Sequence, residues 1–259
     1  MKKVKKMKKV KYVVKVMAKK SKVSWRDFVI PFLLVVGIAF YCWYAVNNPQ
    51  DAIVADYLTA DRIWWKLGEH VNIVLISASL AILTAFPLGL ILTRPKFRRF
   101  TSIVVNLVNV GQTVPSLAVI AIFVGILGIG LNTAVFAIWL YSLLPILANT
   151  ITGINCVPPH IIDAAKGMGM TNTRILFKIE VPLASSVILA GIRTAVVINI
   201  ATAIVAAFVG AGGLGDLIIA GNNIRRFQIL IVGAGLSATM AVVTDQLLEI
   251  VQKLLPQQL

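Results

Sequence analysis

Hydrophobic and polar positions along the chain separate into long blocks, with neither the period-two alternation of strands nor the narrow apolar stripe of surface helices. Apolar runs bounded by charged breaks cover residues 29–46, 71–92, 101–128, 131–150, 183–209 and 227–252. Runs of this kind approach or exceed the roughly 20 residues a helix needs to cross about 30 Å of hydrocarbon. The pattern therefore predicts an all-α membrane protein with about six transmembrane helices. The third run contains Gly111, Gln112, Thr113 and Pro115. Proline removes a backbone donor there and predicts a kink or break, and broken helices at bilayer depth face protein or a water-filled path.

Composition narrows the classes. Of 259 residues 58% are hydrophobic and 14% charged, and the mean hydropathy is +0.88. One soluble domain of this length cannot bury that much apolar surface, which excludes an ordinary cytosolic enzyme and a large globular domain. The net charge of +15 would suggest a nucleic-acid partner if it lay on a folded face, but twelve of the 25 Lys and Arg lie in residues 1–28. The expected organisation is a basic cytoplasmic tail over 1–28, touching anionic lipid and helping to set orientation, followed by a transmembrane domain over 29–255. No nucleic-acid partner is expected.

With the tail inside, six crossings put 93–100, 151–182 and the C-terminus inside as well, so that twenty of the 25 basic residues face the cytoplasm. The expected location is the plasma (inner) membrane, multi-pass, with a cytoplasmic N-terminus. The outer segment 47–70 is nearly balanced, with Asp51, Asp56, Asp61 and Glu69 against Arg62 and Lys66. Arg225 and Arg226 are the exception, falling outside just before the last helix.

Few residues carry reactive chemistry. Cys42 and Cys156 are far apart without ligand-spaced neighbours and read as packing residues, with no metal site. His70 and His160 read as structural or interfacial. Gly210, Gly212, Gly213 and Gly215 formally satisfy G-x-G-x-x-G, but an apolar run at bilayer depth precedes them instead of a strand, so they read as a sharp turn at the outer face. Arg193 stands inside the fifth run, where a central cation costs roughly 2.5 to 3.5 kcal/mol on insertion scales and needs a partner. Asp245, at a similar depth in the last run, is the candidate partner, the pair holding an inner gate; separate solvated positions are the alternative. Gln112, Thr113, Pro115 and Asn199, with Thr194, Thr202 and Ser116, are candidates for a polar pathway, against the plainer reading of interhelical hydrogen bonds. Trp139 and Tyr141 offer cation-π faces or simple packing.

The longest inner connection, about 151–182, is too long for a plain connector. Pro158 and Pro159 suit a helix entry, Gly167 and Gly169 allow a tight turn, and a second short run covers Arg174 to Glu180. This predicts two short helices at a bend. Asp163, Ala164 and Ala165, then Gly169, then Ile179, Val181 and Pro182 resemble the "EAA" signature of ABC importer permeases, with Asp for Glu and Val for Leu. The stretches GQTVPSLAVIAIF, LYSLLPILANTITGI, DAAKGMGM and AGIRTAVVINIATAIVAAFVGAGGLGDLI resemble the osmoprotectant branch of that family, while the first 70 residues match less well.

The resemblance implies a type I ABC importer permease fold with cytoplasmic coupling helices. It implies that Asp163, Ala164, Ala165, Gly167, Gly169, Ile179 and Pro182 belong to a loop that docks on a cytoplasmic ABC ATPase dimer. A second permease subunit, the same or homologous, and an external substrate-binding protein complete the implied assembly. No phosphate-binding loop of the form G-x-x-x-x-G-K-[ST] occurs here, so ATP and magnesium are expected on the ATPase, with no cofactor on this chain and no enzymatic activity of its own. The implied function is ATP-driven, alternating-access import of glycine betaine, carnitine or choline. The alternatives are a permease for methionine or another amino acid, and a secondary transporter, which should show inverted repeats that are not evident.

Overall fold

The computed structural model describes residues 25–254, and every regular element in that range is helical. Of the basic tail expected over 1–28, residues 1–24 lie outside the described residues, as does residue 255 of the expected transmembrane domain. Among the described residues, five spans are long and apolar enough to cross a membrane. They are α1 (Arg26–Asn47), α3 (Ala60–Leu92), α6 (Leu131–Asn155), α9 (Val181–Thr202), which runs within a longer span, and α11 (Phe227–Leu254). A sixth is divided into α4 (Thr101–Thr113) and α5 (Ser116–Leu127), bent by 97°. Short helices α2 (Ala52–Tyr57), α7 (Pro159–Gly167) and α10 (Leu214–Asn223) fill the connections, and α8 (Asn172–Ile175) is the first turn of the longer span that continues into α9.

The bend in the third span has a local cause. Pro115 disfavours the helical region for the residue before it, and Val114 is extended at ψ 130°. The break is tied to α6 by Gln112, whose Nε2 donates to the Tyr141 carbonyl at 2.8 Å. That carbonyl has no helical donor, because the residue four positions on is Pro145. Two prolines thus create the break and the acceptor that anchors it.

Contacts sort the connections into two ends. At one, Arg94 meets Glu180, Thr101 Oγ1 donates to the Leu92 carbonyl and Gln252 Nε2 donates to that of Ser186. At the other, Arg226 meets Asp51, Lys66 meets Asp216 and Gly210 lies beside Ile129. The chain therefore enters α4 at the first end and leaves α5 at the second, so the bent pair connects the two ends of the bundle. The first end carries Arg94, Lys96, Arg98, Arg99, Lys166, Arg174, Lys178 and Lys253, and is called the basic end below.

Small residues bring the spans together. A Cβ on Gly191 of α9 would lie 2.6 Å from Asn149 Cβ and the Pro145 carbonyl on α6, and one on Gly89 of α3 would lie 2.8 Å from Thr150. Close backbone approach of this kind drives helix association where hydrocarbon gives no hydrophobic force between helices. Ile73, Ile138 and Ile200 fill the layer between α3, α6 and α9. The cluster with Ala45, Leu58, Leu217 and Ile229 seats α1 and α2 on α10 and α11.

Two sequence expectations need correction. The second span begins at Ala60 and not near residue 71, because Thr59 caps the helix by accepting from the Arg62 N–H at 3.3 Å. The 151–182 segment holds one separate short helix instead of two, since the run from Asn172 continues without a break to Val209. Pro182 does not stop it: ahead of the proline the turn Leu176–Glu180 widens to a π turn, with the Val181 N–H bonded to the Leu176 carbonyl.

Candidate functional site

The hairpin at the basic end is built on α7. Pro158, in an extended conformation, precedes the helix and Pro159 opens it, where its missing N–H costs nothing. Ala165 is buried, with Ile161 and Ile162 half-buried beside it. The opposite face presents His160, Asp163, Ala164 and Gly167, all exposed and spaced i, i+3, i+4, i+7, with Met168 74% exposed just beyond. That face carries one carboxylate and one imidazole beside Ala164 and Gly167, whose small size leaves the backbone there open to close approach. His160, read in the sequence only as structural or interfacial, belongs to it; its spacing from Asp163 and Gly167 was the available signal.

The helix ends in a Schellman turn. Gly169 N–H donates to the Lys166 carbonyl at 2.8 Å and Met170 N–H to that of Ala165 at 3.1 Å, with Gly169 at φ +79°. A side chain on Gly169 would meet open space but would strain the backbone. Gly167 is also open, with ordinary helical geometry. Ile179 and Pro182, expected in the same loop, lie instead inside the continuous helix that leads into α9, Ile179 half-buried and Pro182 exposed.

Within the bundle, Arg193 is held by two carboxylates of α11. Its Nε donates to Asp245 Oδ1 at 2.5 Å, and its Nη2 to Asp245 Oδ2 at 2.6 Å and Glu249 Oε2 at 2.8 Å. Glu249 also meets Lys253 at 2.9 Å, making a charge ladder down one face of α11. The sequence reading named Asp245 and missed Glu249, which follows it at i+4 and was visible by that spacing.

The other pathway candidates divide. Asn199 is fully buried; in the orientation that satisfies both ends of its amide, the nitrogen donates to Ser142 Oγ at 3.3 Å and the Ile138 carbonyl at 3.2 Å. It staples α9 to α6 and lines no open path in this conformation. Gln112 anchors the break, and Thr113 and Thr194 return their hydroxyls to their own helices at Val110 and Ala190. Thr113 and Pro115 remain exposed at the bend. Trp139 Nε1 donates to Thr84 Oγ1 at 3.0 Å and the ring packs on Phe136, a packing role. Cys42 is half-buried, but Cys156 is exposed and is no packing residue.

At the opposite end the glycine turn holds a carboxylate from its own chain. Gly213 N–H donates to Glu69 Oε2 at 2.8 Å, and a Cβ on Gly212 would overlap that oxygen. Gly210, Gly212 and Gly213 have positive φ, while Gly215 is the point where the following helix packs on the Ile204 carbonyl. Trp65 Nε1 and Lys66 Nζ, each at 2.8 Å, complete the shell around Glu69, and Lys66 reaches Asp216 at 2.6 Å. Nearby, Arg226 bonds Asp51 at 2.5 Å. The Val54 N–H, and after it Arg226, hold the Asp51 carboxyl below the usual carboxylate range.

A kinked span, a hairpin rooted in a span and a carboxylate-filled glycine turn can be set beside known proteins. Residues 85–255 match the family described as binding-protein-dependent transport system inner membrane component. The chain belongs to this family. Among curated relatives of the permease, the choline transport system permease protein OpuBB of Bacillus subtilis (strain 168) is 42% identical over 192 residues, 74% of this chain and 88% of the relative. The carnitine transport permease protein OpuCD of Listeria monocytogenes is 47% identical over 176 residues, 68% of this chain and 78% of the relative. The osmoprotectant import permease protein OsmY of Salmonella typhimurium is 42% identical over 222 residues, 85% and 90%. In fold the permease resembles the MetNI methionine ABC transporter in an inward-facing conformation, with TM-score 0.60 and 19% identity over 74% of this chain and 99% of the other. The family match begins inside α3, leaving α1 and α2 outside it.

Proposed function

We propose that this permease is the membrane subunit of an ABC importer for a quaternary-amine osmoprotectant: choline, carnitine or glycine betaine. The observation that carries the reading is the exposed stripe His160, Asp163, Ala164 and Gly167, set at the basic end and joined through the π turn to a membrane span. A partner seated there would move a span directly. The substrate class is supported by the relatives, three of which are named for choline, carnitine or osmoprotectant transport, and the methionine alternative rests on a fold likeness alone.

In this reading the basic end and the N-terminus are cytoplasmic and the membrane is the plasma membrane, by the distribution of Lys and Arg. An ATPase dimer, which holds the ATP and magnesium, grips two hairpins, one from this chain and one from a second permease subunit. A binding protein delivers solute at the opposite end. Closure of the ATPases pushes the hairpins and rocks the spans, so that access alternates without covalent chemistry on this chain. The Arg193, Asp245 and Glu249 cluster is placed to lock α9 against α11 in one of the two states.

The test is gentle purification from native membranes, mass spectrometry of the companions, and uptake of labelled choline, carnitine and glycine betaine into vesicles, with methionine as control. ATP-dependent uptake of one of the amines, with an ATPase co-purifying, is the expected result. Uptake by the chain without an ATPase, or of methionine in preference to the amines, refutes the proposal.

A further inference from the structure

Glu180 closes the π turn with its side chain only 8% exposed, and a carboxylate so placed is costly unless a counter-charge meets it. Arg94, just past the C-terminal end of α3, supplies one, its Nη2 2.7 Å from Glu180 Oε2. The two atoms are close enough for an ion pair but out of line for a hydrogen bond. Arg94 is itself aimed. Its Nε and Nη2 lie 3.2 and 2.9 Å from Thr93 Oγ1, which in turn donates to the Leu90 carbonyl at 2.7 Å. Beneath the pair, Leu90, Ile154, Leu176, Ala184 and Ile188 form one apolar cluster from α3, α6 and the root of α9.

The pair spans a mechanical weak point. A π turn replaces the ordinary helical bonds with a wider one, and Pro182 immediately beyond offers no donor, so the helix resists bending least between Leu176 and Pro182. On the C-terminal side of α7 a push travels along the chain to α9 through that stretch, while on its N-terminal side Cys156–Pro158 join α7 to α6. A buried pair of this kind adds little net stability over an apolar replacement, so its use here is geometric.

We propose that Arg94 and Glu180 form a coupling strut, a positioning pair that stiffens the π turn and makes α3 move with α9 when the hairpin is displaced. The inference rests on the transporter reading above. Without the strut, bending at Leu176–Glu180 dissipates the stroke and ATP is spent with less solute moved.

The experiment measures ATP hydrolysis and labelled amine uptake in the same vesicles carrying the whole complex. It compares the unmodified chain with Glu180→Gln, Arg94→Gln, and the exchange Arg94→Glu with Glu180→Arg. The single variants are expected to raise ATP hydrolysed per solute imported by about fivefold or more, the low end of coupling between distant sites. The exchange is expected to lower the ratio again. Thr93→Val and Arg94→Lys, which keep both charges, supply the test if a neutralised variant fails to assemble; both are expected to shift the ratio in the same direction by less. An unchanged ratio in assembled variants, or loss of uptake in strict proportion to loss of hydrolysis, overturns the strut. If the unmodified complex shows no ATP-dependent uptake, the transporter reading itself has failed.

Discussion

Arg193 offers a quantitative prediction because it has two counter-charges instead of one. Neutralising Asp245 with Asp245→Asn leaves Glu249 at 2.8 Å from Nη2, and neutralising Glu249 leaves Asp245 bonded to both Nε and Nη2. Each single change therefore removes part of a shared interaction, about 1 kcal/mol for groups that are 23% to 38% exposed. The double variant leaves a guanidinium about 18 Å along the helix from Val181 with no counter-charge, at a cost of roughly 2.5 to 3.5 kcal/mol. The double cost should exceed the sum of the singles by about 1 kcal/mol, within the range of coupling between residues sharing one network. Thermal unfolding of the purified assembly in lipid nanodiscs at one fixed scan rate reads this directly. The singles should fall by about 2–4 °C and the double by about 6–12 °C. Strict additivity, or a loss from Asp245→Asn alone equal to that of the double, refutes the arrangement of two carboxylates sharing one donor. The same geometry complicates a simple charge exchange between Arg193 and Asp245, because an arginine at 245 would pair with Glu249 one turn on.

The hairpin can be probed by separating its turn from its surface. Gly167→Gln should leave the subunit folded, since its site is open and helical, yet reduce both ATPase co-purification and uptake; full uptake in that variant would remove α7 as the docking face. Gly169→Ala should instead cost about 1–2 kcal/mol through its positive φ and loosen the hairpin itself, read as faster proteolysis of the 168–171 turn. Gly191→Ala should destabilise the subunit by about 1–3 kcal/mol by forcing α6 and α9 apart. Gly68→Ala, with nothing within 4 Å, should be neutral or slightly stabilising in the same melting assay.

The spans were legible because bilayer thickness imposes a length on apolar runs that composition alone reveals, and the bend was legible because Pro115 acts on the residue beside it. Local chemistry also carried the Pro158–Pro159 entry and the Gly169 turn. The early start of α3 was hidden by Trp64, Trp65, Lys66 and Glu69, a mixed segment that reads as a loop until Lys66 and Glu69 are seen to be spent on the glycine turn 144 and more residues away. The sequence separates the run Arg174–Glu180 from the span starting at 183, whereas the structure joins them, because a π turn has no sequence signature of its own. Asn199 was offered as a pathway residue because polarity on a span does not say which way a side chain faces. Only the packing of α6 against α9 decides that it is a staple.

The bond between Asp51 and Arg226 bears on how the protein is made. The two residues are 175 positions apart, so the carboxylate reaches its end of the bundle long before the arginine leaves the ribosome. In the proposed topology Arg225 and Arg226 run against the charge bias that orients the other connections, and carrying them across the bilayer costs free energy. Asp51 offsets that cost for Arg226 by meeting it at the end of the bundle where it arrives. The N-terminal helices, though outside the family match, thereby carry the counter-charge that fixes the start of the last span.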